Sequence, residues 1–207
     1  MACAFSNFAT LYVMIKAIIF DCFGVLVTSS YEPFKSEKLN NDKELVDKFM
    51  DIENRSSRGE ISLEEAEKEF ADLAGLSFQD TAEFLTNNPR NSLLLRYISQ
   101  ELKGNYKISM LSNVADDRVS ELFTEDDIAL FNDMVLSYQV ELAKPDARIY
   151  HVVAERLRVH PSECVFIDDN SSYCSAAEGV GMHAIQYKSF GQMKTEVERI
   201  LSIDSNK

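Results

Sequence analysis

The chain has 207 residues, 45% of them hydrophobic, enough to bury the core of one domain or of a core with a smaller insertion. Its 34 acidic residues against 21 basic ones leave a net charge of −13, which disfavours nucleic acid and anionic membrane surfaces as partners. A site for an anionic substrate must then be built locally, from a lysine, a metal or backbone N–H groups.

Four cysteines, Cys3, Cys22, Cys164 and Cys174, show neither a CxxC motif nor zinc-ligand spacing. They read as reduced structural thiols of a cytoplasmic protein. No stretch is apolar and long enough to span a membrane. Residues 1–14 read as an N-terminal extension, dispensable or preceding a start at Met14. No basic residue comes before its apolar part, which does not fit a secretory leader.

Ala17 to Phe20 form a short, partly β-branched apolar run, the pattern of a strand buried on both faces of a parallel sheet. The predicted strand covers 15–20 and ends in Asp21. Gly24 then lets the backbone turn away, and a loop runs to residue 30. From 31 to 89 the pattern is helical without strands. Leu45, Val46, Phe49 and Ile52 recur at helical spacing, and Ser62-Leu63-Glu64-Glu65 is a capping box opening a helix that stops at Gly75. A third helix covers Phe78 to Thr86, before Asn87-Asn88-Pro89.

Beyond Pro89 strands and helices alternate. A helix over Ser92–Leu102 precedes a strand over Lys107–Leu111, and a two-part helix spans Asp116 to Leu130. A weaker strand covers Met134–Ser137, then a helix Asp146–Leu157 follows Lys144-Pro145. A strand over Cys164–Ile167 ends in Asp168-Asp169-Asn170, and a helix over Ser171–Glu178 stops at Gly179 and Gly181. A strand over His183–Gln186 and a helix over Gln192–Leu201 close the chain. Alternation of this kind gives a parallel sheet covered on both faces.

Four strand ends therefore carry polar residues: Asp21, Ser112-Asn113, Lys144 in the loop after the third strand, and Asp168-Asp169. A parallel sheet brings such ends to one edge. Each alone has an ordinary explanation as a turn, cap or solvated residue. Together they suit phosphoryl transfer. Asp21 can be the nucleophile and can share a hard cation with Asp168 and Asp169. Lys144 balances charge, and the Ser112 hydroxyl can hold a phosphate oxygen. Without a cation, three carboxylates and a phosphate would not share one pocket.

The stretches Ile19–Leu26, Leu111-Ser112-Asn113, Lys144–Tyr150 and Phe166–Asn170 resemble, in order, the four motifs of the haloacid dehalogenase-like (HAD) hydrolase superfamily. The resemblance covers residues 15–201. It implies a Rossmann-like α/β core (15–30 and 90–207) with a parallel sheet of order 5-4-1-2-3, and an inserted helical cap (31–89). It implies a Mg2+-dependent phosphatase acting on a small phosphorylated metabolite, with Asp21, Ser112 and Lys144 catalytic. Asp21, Asp168, Asp169 and the Phe23 carbonyl would hold the metal. Asn113, Gly24 and Arg58 are expected at the substrate. Asn54 to Ser62 resembles a cap segment of sugar-phosphate phosphatases, which puts Arg55 and Arg58 forward as contacts. Phe23, Tyr31, Phe34 and Tyr173 are expected at the pocket mouth, and the protein is expected as a monomer or homodimer.

One departure matters. Phosphatases of this group usually carry a second aspartate two residues after the nucleophile as general acid and base, and here that position is Phe23. A general acid is typically worth about 10²–10⁴-fold in rate. Two alternatives stay open: a catalytically weak or inactive HAD-like binding protein, and a 2-haloacid dehalogenase in which Asp21 displaces halide without metal. Lys144 with Tyr150 suits the dehalogenase. Asp168-Asp169, where dehalogenases have neutral hydroxyl residues, opposes it.

Overall fold

The computed structural model describes residues 14–117 and 119–205, so most of the N-terminal extension, with Cys3, lies outside the described residues. Five strands, β1 (Ala17–Phe20), β2 (Lys107–Ser112), β3 (Asp133–Leu136), β4 (Cys164–Asp168) and β5 (His183–Gln186), pair in parallel in the order β3-β2-β1-β4-β5. This is the expected order. β1 lies at the centre and is buried at every residue, which explains why its sequence is an uninterrupted apolar run rather than an alternation.

Between β1 and Pro89 the chain makes four helices: α1 (Tyr31–Glu37), α2 (Lys43–Ser57), α3 (Leu63–Ala74) and α4 (Phe78–Thr86). Local chemistry sets their ends. The Asp42 side chain accepts from the Glu44 and Leu45 N–H groups at the start of α2. Ser62 and Glu65 form the reciprocal capping box of α3, and Gly75 ends it at φ +65°, a conformation glycine enters without strain. The four helices share a hydrophobic core of their own, centred on Phe34, Phe49, Phe70 and Leu85. The Phe49 and Phe70 rings stack with centroids 4.4 Å apart.

The two connections between this helical segment and the sheet lie side by side. Val27 pairs with Arg90 in an antiparallel bridge. The Thr28 N–H donates to the Pro89 carbonyl at 2.9 Å, and the Asn91 N–H donates to the Leu26 carbonyl at 2.8 Å.

The predicted Ser92–Leu102 helix is α5 (Ser92–Tyr97) running into a π-helical turn, Ile98–Leu102. After β2 come two short helices, α6 (Val119–Leu122) and α7 (Glu125–Ile128). β3 starts one residue earlier than expected, and Ser137 instead begins a short helix, α8 (Ser137–Val140), that the sequence pattern did not mark. The remaining helices are α9 (Ala147–Arg156), α10 (Ser171–Gly179) and α11 (Phe190–Ser205).

Alternate side chains of the central strands enter two separate cores. Ile18, Phe20, Met110 and Ile167 meet α5 and α11 residues on one face, and Ile19, Leu111 and Phe166 meet α9 and α10 residues on the other. Cys22, Cys164 and Cys174 are buried free thiols, as expected. No helix among the described residues is long and apolar enough to cross a membrane.

Candidate active site

The register of the sheet fixes which polar residues meet. Phe20 is level with Met110 on β2 and with Ile167 on β4, so Asp21 emerges beside Asp168, with Ser112 just beyond on the other side. The Asp21 N–H donates to the Ile167 carbonyl at 2.8 Å and holds the nucleophile candidate in line with the strand. Here the two neighbours of β1 lead away in opposite directions, the place where open α/β sheets bind ligands.

Lys144 joins the two carboxylates. Its ammonium donates to Asp21 Oδ1 at 2.7 Å and to Asp168 Oδ2 at 2.6 Å, and all three side chains are buried. The Lys144 ammonium also lies over the Tyr173 ring, 5.0 Å from its centroid. Burial pulls the lysine toward the neutral form, but Asp168 and Asp21 outweigh it and hold its pKa above the ordinary value.

The backbone around Lys144 is fixed by Asn113. Its Nδ2 donates to the Lys144 carbonyl at 2.9 Å, and its Oδ1 accepts from the Lys144 N–H at 2.8 Å. Asn113 lines the cavity, yet both polar ends of its amide are taken by this backbone. The neighbouring Ser112 is the converse case: its Oγ is buried and has no hydrogen-bond partner among the described residues.

Asp169 completes the acidic set. One oxygen each from Asp21, Asp168 and Asp169 lie within 4.8 Å of one another. Gly24 makes this approach possible: it sits at φ +92°, and a Cβ there would come 2.3 Å from Asp169 Oδ2. The Asp168 Oδ1 accepts from the Asn170 N–H at 2.8 Å. Asn170 in turn caps α10, so the start of that helix orients the aspartates.

Three carboxylates against one ammonium leave a local charge of −2 when all are ionised. Burial, then the neighbouring Asp168 and Asp169, push Asp21 up to about 8 despite Lys144. Partial burial of its carboxyl and the Asp168 charge push Asp169 up to about 6. Such a cluster is electrostatically incomplete, and a divalent cation would supply the missing charge through oxygen ligands of the type it prefers. The residues fit such an ion.

These groups open into a cavity of about 240 Å³. Its floor includes Asp21, Ser112, Lys144 and Asp169, and its roof comes from the helical segment, notably Tyr31 and Lys35 of α1 and Met50, Glu53 and Ser57 of α2. Phe23, Tyr31 and Tyr173 line it, as the sequence predicted.

Four expected contacts do not: Gly24, which lies behind Asp169 instead, Phe34, Arg55 and Arg58. Phe34 is fully buried in the core of the helical segment, because α1 turns its apolar face toward α2 and α4. Arg58 is exposed, pairs with Glu60 at 2.6 Å and is not among the cavity residues. Arg55 is held by Glu69 through two hydrogen bonds. Helical phase is the reason: positions 50, 53 and 57 of α2 face the cavity, and positions 55 and 58 do not. Sequence reasoning missed Glu53, whose spacing from Met50 and Ser57 was the available signal.

A family model for haloacid dehalogenase-like hydrolases matches residues 15–181. The chain belongs to that family of hydrolases. It is 30% identical over 208 residues to a CBBY-like protein of Arabidopsis thaliana, an alignment covering 84% of this chain and 63% of that one. The chain thus spans less than two thirds of the plant relative. Identity is 28% over 207 residues to the D-ribitol-5-phosphate phosphatase of Bacteroides thetaiotaomicron, covering 91% of this chain and all of that protein. Among solved structures, a HAD-family enzyme of Bacteroides thetaiotaomicron in complex with magnesium and inorganic phosphate superimposes with a TM-score of 0.66 at 25% identity, covering 85% of this chain and 96% of that one.

Proposed function

We propose that this protein is a magnesium-dependent phosphatase of a small phosphorylated metabolite, a sugar or sugar-alcohol phosphate, working in the cytoplasm as a monomer or homodimer. The observation that carries the reading is the convergence of Asp21, Asp168 and Asp169 around Lys144 beside the unpartnered Ser112 hydroxyl. The phosphatase-named relative and the magnesium–phosphate complex of the structural neighbour support it.

In this reading Asp21, Asp168, Asp169 and the Phe23 carbonyl would hold Mg2+, which would supply charge neutralisation to the carboxylates and the phosphoryl oxygens. Asp21 attacks phosphorus through a carboxylate oxygen, forming an aspartyl-phosphate as the bond to the leaving oxygen breaks. Lys144 orients Asp21, favours its ionised form against burial and offsets charge on the phosphoryl group. Ser112 donates its free hydroxyl to a phosphoryl oxygen. Asn113 acts by fixing the Lys144 backbone, and Gly24 by admitting Asp169. Residues 31–89 serve as a cap over the core of 15–30 and 90–207. A hydrophobic core of their own and two adjacent connections support that division.

The test is phosphate release from sugar and sugar-alcohol phosphates, nucleotides and p-nitrophenyl phosphate, with magnesium, with chelator and with Asp21→Asn. Magnesium-dependent release that Asp21→Asn abolishes is the expected result. Release that survives chelation or the Asp21 variant overturns the mechanism. Silence across the panel with magnesium binding intact favours the non-catalytic alternative.

A further inference from the structure

Phe23 leaves the proposed phosphatase with a nucleophile and no proton donor on the motif loop. A phosphorylated alcohol is a poor substrate under those conditions, because its alkoxide must be protonated as it departs. The donor has to come from elsewhere around the cavity.

The candidates there are few. Asp21, Asp169 and Lys144 are committed to the nucleophile, the cation and their mutual pairing. Glu32 and Lys35 are paired with each other. Asp116 and Tyr31 have partners of their own. Tyr173 is pushed up to about 12, chiefly by burial, and is a weak donor at neutral pH. Glu53 is different: it lines the cavity from α2, is partly buried, and its carboxyl makes no hydrogen bond or salt bridge among the described residues.

Its position is also fixed. On one side of α2, Phe49, Ile52 and Ser56 are buried, anchoring the helix in its own hydrophobic core. At the end of the helix the Ser57 carbonyl accepts from the buried Ser137 hydroxyl at 3.0 Å. That bond pins the helix to the loops following β2 and β3. Glu53 lies four residues back, about one turn or 6 Å along the axis, and so overhangs the strand ends from the roof.

We infer that Glu53 is the general acid and base of this enzyme, supplied by the roof of the cavity in place of the residue that Phe23 displaces. This inference rests on the phosphatase reading above. In the first step the Asp21 carboxylate bonds to phosphorus, the bond from phosphorus to the alcohol oxygen breaks, and that oxygen takes the Glu53 proton, leaving alcohol, aspartyl-phosphate and Glu53 carboxylate. In the second step water attacks phosphorus and gives one proton to Glu53. The bond to Asp21 breaks, releasing hydrogen phosphate and restoring both carboxyl groups.

The surroundings suit a proton carrier. Burial pushes Glu53 up to about 7, with Glu32 and Asp169 adding to the shift and Lys35 and Lys144 opposing it. Of the elements packed about it, α1 presents Glu32 and Lys35, the core presents Asp169, Lys144 and Tyr173, and α3 presents the apolar Leu63.

The test uses Glu53→Gln and Glu53→Asp in the full chain with magnesium, comparing ribitol 5-phosphate with p-nitrophenyl phosphate in single-turnover experiments. The nitrophenolate leaves without a proton, so its release reports nucleophilic attack alone. Glu53→Gln is expected to slow cleavage of the alkyl phosphate by about 10²–10⁴-fold, through kcat rather than KM. The first p-nitrophenol turnover should slow by less than about tenfold, with the following turnovers slow because water activation is lost. Glu53→Asp, retaining an acid, should recover part of the alkyl activity. Equal loss on both substrates in the first turnover, or an unchanged alkyl rate, overturns the role of Glu53 while leaving the phosphatase reading intact. A wild-type protein that releases neither alcohol defeats both.

Discussion

Replacing Gly24 by alanine separates two costs that the structure places at one residue. The backbone cost comes from φ +92°, which a side chain tolerates at about 1–3 kcal/mol. The second cost falls on the proposed metal site. The new Cβ would lie 2.3 Å from Asp169 Oδ2, and ordinary contact begins at 3.4 Å, so the carboxylate must retreat by about 1 Å. Magnesium ligands sit at about 2.0–2.1 Å with a tolerance of about 0.2 Å. As a ligand of the proposed ion Asp169 would be displaced, and magnesium affinity should fall at least about tenfold, the scale of a disturbed supporting shell. Calorimetric titration with magnesium measures this, and denaturant unfolding in chelator measures the strain. In an Asp169→Asn background the affinity loss should vanish while the stability loss persists, since the two changes act on one ligand. Wild-type magnesium affinity in Gly24→Ala, or full additivity of the two variants, would refute the reasoning.

Lys144→Met leaves Asp21 and Asp168 buried against each other, and at neutral pH without magnesium it should cost about 3–5 kcal/mol in urea unfolding. Lys144→Arg, which keeps the charge, should recover part of the loss; equal loss in both variants would deny the lysine its electrostatic role. Phe70→Ala removes a fully buried ring from the core of α1–α4 and should cost about 3–5 kcal/mol locally. Hydrogen exchange should accelerate in α2–α4 and not in β1 or β4, and acceleration throughout would show one cooperative unit. Glu53→Gln should raise stability in chelator at pH 8 by roughly 2–3 kcal/mol. The folded state holds the Glu53 proton to about 7 against an ordinary 4.5, so wild-type stability falls as pH rises through that window and the variant's does not. Coincident pH curves for the two proteins would contradict this.

Much of the core was legible because its signals are local. An apolar run that stops at Asp21, a capping box at Ser62–Glu65 and a glycine after Ala74 each determine structure within a few residues. Sheet register then carries Asp21, Ser112 and Asp168 to one edge with no further information. The misses share a different origin. Phe34 lies on a helix, and Arg58 just past the end of one, whose phase toward the cavity is set by tertiary packing, and both were expected on the wrong side. The α8 turn is four residues long and is held by Ser137 Oγ, which accepts from the Val114 N–H at 2.9 Å, a contact 23 positions apart. Glu53 looked like one more acidic residue among 34; only the fold shows that it faces the strand ends without a partner.

Ser112 and Asn113 show why residue type alone could not divide substrate contacts from supports. Both are polar, adjacent and at the end of β2, and both suit either task. Asn113 spends its amide on the Lys144 backbone, so its removal should loosen Lys144 and destabilise the protein. The Ser112 hydroxyl is buried with nothing to bond, a condition that costs about 1–3 kcal/mol. Ser112→Ala should consequently leave the ligand-free protein as stable as wild type or more so, by thermal unfolding in chelator. With magnesium present, its affinity for inorganic phosphate should fall about tenfold, the worth of one hydrogen bond to a charged group. A hydroxyl with a structural duty gives the opposite pattern, lower stability with phosphate affinity intact, and that pattern would remove Ser112 from the site.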